Sequence, residues 1–274
     1  MKTLYVSDLD GTLLNSSQTT SDYTNTVIND LVGKGIVFSY ATARSFKTSS
    51  KVTKGLNANF PLVLYNGAFV LDGKSNEYII SNMFDKTFAA LFEDLINSNI
   101  YPIVYSFIDG EEKFSYIPGK SSSGMQDFVS SRYDDSRNNP VNSVSDLLKG
   151  TPFYITCIDT PQKLEPLYIK YKNIYHCVYS VDMYSGEQWL EFMPKTATKS
   201  NAVLQLKKIL KCDKIVAFGD GINDIDMFKI ADECYAVSNA VDELKEIATG
   251  ILESNDDDGV AKWLSDNAFP LSND

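Results

Sequence analysis

The chain has 274 residues, of which 43% are hydrophobic, and this is enough to bury the core of one large domain and a smaller one. It carries 36 acidic against 25 basic residues, a formal charge of -11, without the Lys/Arg-rich run that neutralises a nucleic-acid backbone. Composition therefore predicts no nucleic-acid partner, although a bound cation and one well-placed lysine could still make a site for an anionic substrate.

The cysteines and the N-terminal residues indicate a cytoplasmic protein. The four cysteines are Cys157, Cys177, Cys212 and Cys234. They lie far apart without accompanying histidines, so neither a zinc site nor a dense disulfide framework is expected. The first residues run directly into a strand-like segment, and no apolar run approaches the roughly 20 residues that span a bilayer. We expect no membrane contact.

Strand and helix patterns alternate at both ends of the chain. In the N-terminal part, strands are predicted at residues 4–7, 36–40 and 62–65, and helices at 20–32 and 46–54. In the C-terminal part, strands are predicted at 214–218 and 234–237, and helices at 200–210, 223–230 and 241–247. This alternation predicts an α/β fold with a doubly wound, Rossmann-like parallel sheet.

The middle of the chain has a different pattern. Helices are predicted at residues 86–97 and 162–171, and strands at 101–108, 113–117, 153–158, 175–181 and 189–192. Short turns such as Asp109-Gly110 between adjacent strands favour antiparallel pairing. We therefore predict a discontinuous larger domain of residues 1–82 and 189–274, interrupted by an inserted α+β domain of residues 83–188.

The first strand ends in Asp8-Leu9-Asp10-Gly11-Thr12. In an extended backbone, residues i and i+2 project from the same face, so both carboxylates can point into the crevice where doubly wound sheets bind ligands. Gly11 would let backbone N–H groups face an anion. Alone, the fragment fits an ordinary polar turn equally well.

A second acidic run, residues 219–224, also follows a predicted strand and includes Asp220, Asn223 and Asp224. Carboxylates gathered at strand ends without sulfur or histidine make an oxygen-rich site, which favours Mg²⁺ over zinc. As a helix N-cap, Asp224 or Asn223 would need no further function.

Two more groups complete the set. Thr42-Ala43-Arg44 follows another strand and offers a hydroxyl and backbone N–H groups, while Lys199 begins a helix, where its ammonium could neutralise a phosphoryl group. Taken singly, Thr42 fits an N-cap and Lys199 a solvated surface lysine.

Together these motifs closely resemble the haloacid dehalogenase superfamily, in the expected order: Asp8 to Thr12, Thr42, Lys199, then Gly219-Asp220 with Asn223-Asp224. The insertion is similar to the large α/β cap of the Cof-type subfamily. Ala43 and Ser200 depart from the family pattern, which often has glycine at both positions.

The resemblance implies a mechanism. Asp8 would be the nucleophile that forms an aspartyl-phosphate, and Asp10 the general acid/base. Magnesium would be held by the Asp8 carboxylate, the Asp10 main-chain carbonyl and Asp220, with Asp224 supporting them. The residues expected to bind phosphate or substrate are Gly11, Thr42, Ala43, Arg44, Asn66, Lys199 and Asn223. For Asn66, in an Asn-Gly pair, a simple turn is an equally good interpretation.

The function that the resemblance implies is hydrolysis of a small phosphorylated metabolite, such as a sugar phosphate, by a monomer. A phosphomutase, or a non-catalytic module that binds a phosphorylated metabolite, is the alternative. A dehalogenase is disfavoured, because removing halide needs no second acid/base carboxylate such as Asp10. No motif names the substrate. His176, the only histidine, is expected to be a packed or surface side chain.

Overall fold

The computed structural model of this protein describes residues 1–57, 59–182 and 186–268. Its strands are β1 (Thr3–Ser7), β2 (Val37–Ala41), β3 (Pro61–Leu64), β4 (Phe69–Asp72), β5 (Glu77–Ser81), β6 (Ile103–Ile108), β7 (Glu111–Tyr116), β8 (Asn138–Pro140), β9 (Thr151–Ile158), β10 (His176–Val181), β11 (Gln188–Met193), β12 (Lys214–Gly219), β13 (Glu233–Val237) and β14 (Gly250–Leu252). Its helices are α1 (Asp22–Gly33), α2 (Phe46–Val52), α3 (Phe88–Asn97), α4 (Ser123–Ser130), α5 (Pro161–Tyr171), α6 (Lys199–Ile209), α7 (Ile225–Ile230), α8 (Asp242–Lys245) and α9 (Gly259–Asn267). None of these helices is long and apolar enough to cross a bilayer.

The described residues form two compact units, the first of residues 1–81 with 197–268 and the second of residues 82–196. The first unit contains an eight-stranded sheet in the order β14-β13-β12-β1-β2-β3-β4-β5. The strands from β14 to β3 are parallel, whereas β4 and β5 continue the sheet as antiparallel strands. The predicted α/β fold with a doubly wound parallel sheet is confirmed.

The strand order reverses at β1, because β2 lies on one side of it and β12, from the far end of the chain, lies on the other. Ser7 at the end of β1 is level with Phe218 of β12, and the N–H of Asp8 donates to the Phe218 carbonyl at 2.9 Å. The carboxyl ends of β1 and β12 therefore form the switch point at which doubly wound sheets bind ligands.

The core of the first unit lies on both faces of β1. Leu4 and Val6 are fully buried on one face. On the other, Tyr5 packs against the Trp263 ring of α9, with ring centroids 6.3 Å apart, and Trp263 also contacts Tyr235 and Phe218. This burial on both faces is typical of a central parallel strand.

The second unit contains a six-stranded sheet in the order β10-β11-β9-β6-β7-β8, in which the short β8 pairs parallel with β7 and the other pairs are antiparallel. Helices α3 and α5 contribute Leu91, Leu95 and Leu164 to a core that also includes alternate residues of the strands. This unit is an α+β arrangement.

The boundary between the units differs from the predicted one. The sequence predicts that the larger domain resumes at residue 189, which lies within β11. In the structure, β11 pairs with β9 and β10, and its alternate residues Leu190 and Phe192 are buried in the core of the second unit. The second unit therefore extends to residue 196.

Candidate active site

Asp8 directly follows β1 and is 4% exposed, at the start of a helical turn, Leu9–Leu13. Within this turn Gly11 has a φ of 78°, and a Cβ at this position would lie 2.3 Å from Oδ2 of Asp220. Only glycine allows the turn to approach the Asp220 carboxylate this closely. The turn after β1 is thereby fixed against the end of β12.

The loop after β12 is organised by Asp224, which is fully buried. Its Oδ2 accepts hydrogen bonds from the backbone N–H groups of Asp220 and Gly221, each at 3.1 Å. Its Oδ1 accepts a hydrogen bond from Nζ of Lys199 at 2.8 Å. Both oxygens of Asp224 are therefore engaged with the protein.

Lys199 is the first residue of α6, a helix capped by Thr198, whose side chain accepts a hydrogen bond from the Asn201 N–H. The Lys199 side chain is 3% exposed, and its Nζ lies 2.5 Å from Oδ1 of Asp8. The ammonium thus bridges Asp8 and Asp224. A solvated surface lysine is excluded by this burial.

Three carboxylates lie close together at this site. One carboxylate oxygen from each of Asp8, Asp220 and Asp224 lies within 4.8 Å of the others, and the Lys199 ammonium contacts Asp8 and Asp224. Burial raises the pKa of Asp8 well above its usual range; Lys199 opposes this shift, and Asp224 adds to it. Burial, followed by the charge of Asp224, raises the pKa of Asp220 to about 6. Burial acts to lower the pKa of Lys199, but Asp224 and Asp8 outweigh it and the pKa is raised. The cluster therefore has more negative charge than Lys199 can neutralise.

The donor set of this cluster fits a hard divalent cation. Its ligand atoms are carboxylate oxygens, which suit Mg²⁺ and do not favour zinc. Both oxygens of Asp224 already accept hydrogen bonds, whereas Asp8 and Asp220 could each offer an oxygen to a cation.

The Asp10 carboxylate has a different partner. The side chain of Arg44 donates from Nε to Oδ2 of Asp10 at 2.8 Å and from Nη2 to Oδ1 at 2.5 Å. The Asp10 side chain is 49% exposed, in contrast to the buried Asp8. Asp10 nevertheless lies close enough to the buried cluster for its charge to contribute to the raised pKa of Asp220, after burial and Asp224.

The other predicted residues also follow strands. Thr42 is fully buried after β2, and its hydroxyl accepts a hydrogen bond from the Arg44 N–H at 3.1 Å. Asn66 is 4% exposed after β3, and its N–H donates to the Thr42 carbonyl at 2.9 Å. Ala43 and Asn223 are exposed. His176 lies in β10 of the second unit.

Two polar contacts were not assigned from the sequence. The Thr12 hydroxyl donates to Oδ1 of Asp220 at 2.9 Å, and the Asn239 amide donates to the Gly11 carbonyl at 2.8 Å. The contact of Asn239 could have been anticipated from its position. Asn239 follows β13 closely, and β13 is parallel to the neighbouring β12, so both strands end at the same edge of the sheet.

The chain is similar to known proteins along almost its whole length. A family model described as haloacid dehalogenase-like hydrolase matches residues 5–264. A 5-amino-6-(5-phospho-D-ribitylamino)uracil phosphatase of Bacillus subtilis is 26% identical over 273 residues, which cover 94% of this chain and 95% of the relative. A second Bacillus subtilis protein of that name is 26% identical, with the same two shares covered. A crystal structure of a Thermotoga maritima protein is 25% identical with a TM-score of 0.78, and the match covers 98% of both chains.

Proposed function

Because this chain belongs to the haloacid dehalogenase-like hydrolases and is a phosphatase, we propose that it hydrolyses phosphomonoesters of small metabolites with Mg²⁺ and Asp8 as nucleophile. The observation that carries the proposal is the Lys199 ammonium between Asp8 and Asp224, with Asp220 beside them. This arrangement offers a buried nucleophile, a fixed positive charge and a cation site in one place.

In the first step, an Asp8 oxygen attacks phosphorus while the bond to the leaving oxygen breaks, and Asp10 gives that oxygen a proton. The product is an aspartyl-phosphate and a free hydroxyl compound. In the second step, water attacks phosphorus, its proton passes to Asp10, and the bond to Asp8 breaks to release orthophosphate. Splitting the reaction in this way replaces one difficult displacement with two easier ones.

The magnesium ion would be held by the carboxylates of Asp8 and Asp220 and by the main-chain carbonyl of Asp10. Asp224 would support them by holding the backbone of Asp220 and the Lys199 ammonium. When bound, the cation would neutralise charge so that an anionic nucleophile and an anionic substrate can meet.

Arg44 has two functions in this proposal. Its guanidinium binds the Asp10 carboxylate in the substrate-free protein, as a bidentate ion pair. For Asp10 to transfer a proton, Arg44 has to exchange this carboxylate for another anion, and an arriving phosphoryl group is one. Thr42 and Lys199 would bind the same phosphoryl oxygens, with Gly11, Ala43, Asn66 and Asn223 around them.

The substrate class is proposed from chemistry and from the relatives. Two relatives carry the name of a phosphatase for a phosphorylated ribityl compound, so phosphorylated sugars and sugar alcohols are the class to test first. A role of residues 82–196 as a cap that selects the substrate is part of this proposal.

The direct test is release of p-nitrophenol from p-nitrophenyl phosphate. We expect Mg²⁺-dependent turnover that EDTA abolishes and that Asp8→Asn lowers by about 10³-fold or more. Asp226→Asn is the matched control, since this aspartate lies near the same loop but its side chain is 70% exposed. Asp226→Asn should retain wild-type turnover.

Turnover that survives unchanged in Asp8→Asn would refute the nucleophile assignment. A panel of phosphorylated metabolites, including 5-amino-6-(5-phospho-D-ribitylamino)uracil, then identifies the substrate by kcat/KM. Orthophosphate release from the preferred compound supports hydrolysis, whereas transfer of the phosphoryl group to a second hydroxyl would identify a phosphomutase.

A further inference from the structure

Three consecutive residues after β3 have left-handed backbone conformations. Tyr65, Asn66 and Gly67 have φ angles of 50°, 53° and 94°. Residues with a side chain rarely adopt this region, and a tyrosine there is unusual because its Cβ crowds the backbone. All three residues are buried. Such a conformation persists only where surrounding contacts enforce it, and it is found preferentially at functional sites.

One set of these contacts joins the turn to the segment after β2. The Tyr65 N–H donates to the Arg44 carbonyl at 3.1 Å, and the Asn66 N–H donates to the Thr42 carbonyl at 2.9 Å. The left-handed conformation aims both N–H groups at this one segment. The turn therefore holds both ends of Thr42–Arg44, the segment proposed to bind the phosphoryl group.

The opposite side of the turn contacts the start of α6. A Cβ on Gly67 would lie 2.2 Å from the Thr198 carbonyl oxygen and 3.1 Å from the Lys199 nitrogen. The Thr198 carbonyl in turn accepts the Ala202 N–H at 3.0 Å, in the first turn of the helix. Any side chain at position 67 would have to displace the backbone that carries Lys199.

From these contacts we infer that the turn Tyr65–Gly67 sets the distance between the Thr42 segment and Lys199, with Gly67 as the positioning residue. This inference rests on the proposed function, in which Thr42 and Lys199 bind the same phosphoryl group. Hydrogen bonds fix the turn to one partner, and the missing Cβ of Gly67 allows close approach to the other. Lys199 is 3% exposed between Asp8 and Asp224, so a displacement of its backbone would weaken both contacts.

The test compares Gly67→Ala with Gly35→Ala. Gly35 has a φ of 91°, close to that of Gly67, but a Cβ on Gly35 would meet nothing within 4 Å. Both substitutions impose the same kind of backbone strain, so both should lower stability. Only Gly67→Ala should reduce kcat/KM for p-nitrophenyl phosphate and raise the inhibition constant of orthovanadate, each by about tenfold or more relative to Gly35→Ala. Orthovanadate with Mg²⁺ is the probe because it takes the five-coordinate geometry of the transition state.

Equal kinetic constants in folded Gly67→Ala and Gly35→Ala would overturn the positioning role, even though wild-type turnover would still support the proposed function. A wild-type protein that neither turns over p-nitrophenyl phosphate nor binds orthovanadate would refute the proposed function itself. The two failures are therefore distinguishable.

A measurement on the wild-type chain covers the case in which Gly67→Ala does not fold. Amide hydrogen exchange is followed with and without orthovanadate and Mg²⁺. The N–H groups of Tyr65, Asn66 and Ala202 should all slow on binding, by about tenfold or more, because the turn links the two segments that the ligand bridges. The Gly35 N–H, bonded to the Val32 carbonyl, should be unchanged. Slowing at Ala202 without slowing at Tyr65 and Asn66 would overturn the inference.

Discussion

Asp8 and Asp10 are two residues apart, yet their carboxylates contact cations from different segments. Asp8 is buried against Lys199, and Asp10 is exposed against Arg44. The sequence predicts that Asp8, Lys199, Asp220 and Asp224 converge, because each lies at a strand end or helix start of one parallel sheet. It cannot predict the partner of Asp10, since that depends on the turn conformation and on the direction of the Arg44 side chain.

The pKa of Asp220 provides a residue-scale prediction. Its pKa is about 6 in the folded chain against an ordinary value of 3.8. The contribution of Asp220 to stability is therefore fully present below about pH 4 and is lost as the pH rises through 6. Asp220→Asn should raise the free energy of unfolding of the metal-free protein by about 1–3 kcal/mol at pH 8, and by much less at pH 4.

Urea unfolding at both pH values, in EDTA, measures this difference. Mg²⁺ should stabilise the wild type at pH 8 and stabilise Asp220→Asn far less, because the variant loses a ligand. Asp226→Asn again serves as the control. An Asp220→Asn variant that is less stable than the wild type at pH 8 without metal would contradict the electrostatic account.

At the element scale, the strands and helices that build the sheet around the site follow clear sequence patterns. The elements missed by sequence reasoning lack such patterns. Helix α4 lies in a polar stretch where its buried side chains, Met125 and Val129, are four residues apart. Strands β8 and β14 have three residues each, too few for alternation to be recognised. Strand β4 pairs with β3, and β5 pairs only with β4 at the edge of the sheet. Both strands therefore depend on pairing with a neighbour as well as on their own residues.

The contacts of the acidic segment 256–258 also could not be predicted from the sequence. From the sequence alone, favourable charge at the N-terminus of the following helix would be a sufficient explanation for these residues. In the structure, Asp258 accepts hydrogen bonds from the hydroxyls of Ser21 and Thr24, at 2.6 Å and 2.8 Å, and Asp256 accepts one from the Ser16 N–H at 2.7 Å. These carboxylates hold the segment that follows the turn Leu9–Leu13, which sequence spacing could not reveal.

Arg137 provides an element-scale prediction in the second unit. Its side chain, 9% exposed, pairs with Glu112 at 2.7 Å and with Asp135 at 2.9 Å, and so fixes the segment before β8 against β7. Arg137→Met would leave two largely buried carboxylates without their cation, at a cost of about 3–5 kcal/mol. Lys34→Met, which removes a pair with both side chains more than half exposed, should cost less than about 1 kcal/mol.

The two tryptophans allow this cost to be localised, because Trp189 lies in the second unit and Trp263 in the first. Arg137→Met should shift the urea transition reported by Trp189 in a Trp263→Phe background. Equal stability losses in Arg137→Met and Lys34→Met would show that the Arg137 pairs contribute no more than a surface pair.

At the scale of the whole molecule, the candidate site depends on segments that are far apart in the chain. Asp8 and Lys199 are separated by 191 residues, and the second unit lies between them in sequence. Alternation of strand and helix patterns was enough to predict the sheet that brings them together. The position of the unit boundary was not predictable, because β11 resembles the strands of either sheet until its pairing partners are known.

Trapping the covalent intermediate shows whether Asp8 carries the phosphoryl group. Enzyme mixed with Mg²⁺ and an excess of its preferred substrate is quenched and reduced with borohydride, and the peptide containing residue 8 is sequenced by mass spectrometry. We expect homoserine at position 8, since borohydride reduces an acyl phosphate but not a free carboxylate. None is expected in Asp8→Asn or without Mg²⁺. An active enzyme that gives no homoserine at position 8, or gives it at position 10, would contradict the assignment of Asp8 as the nucleophile.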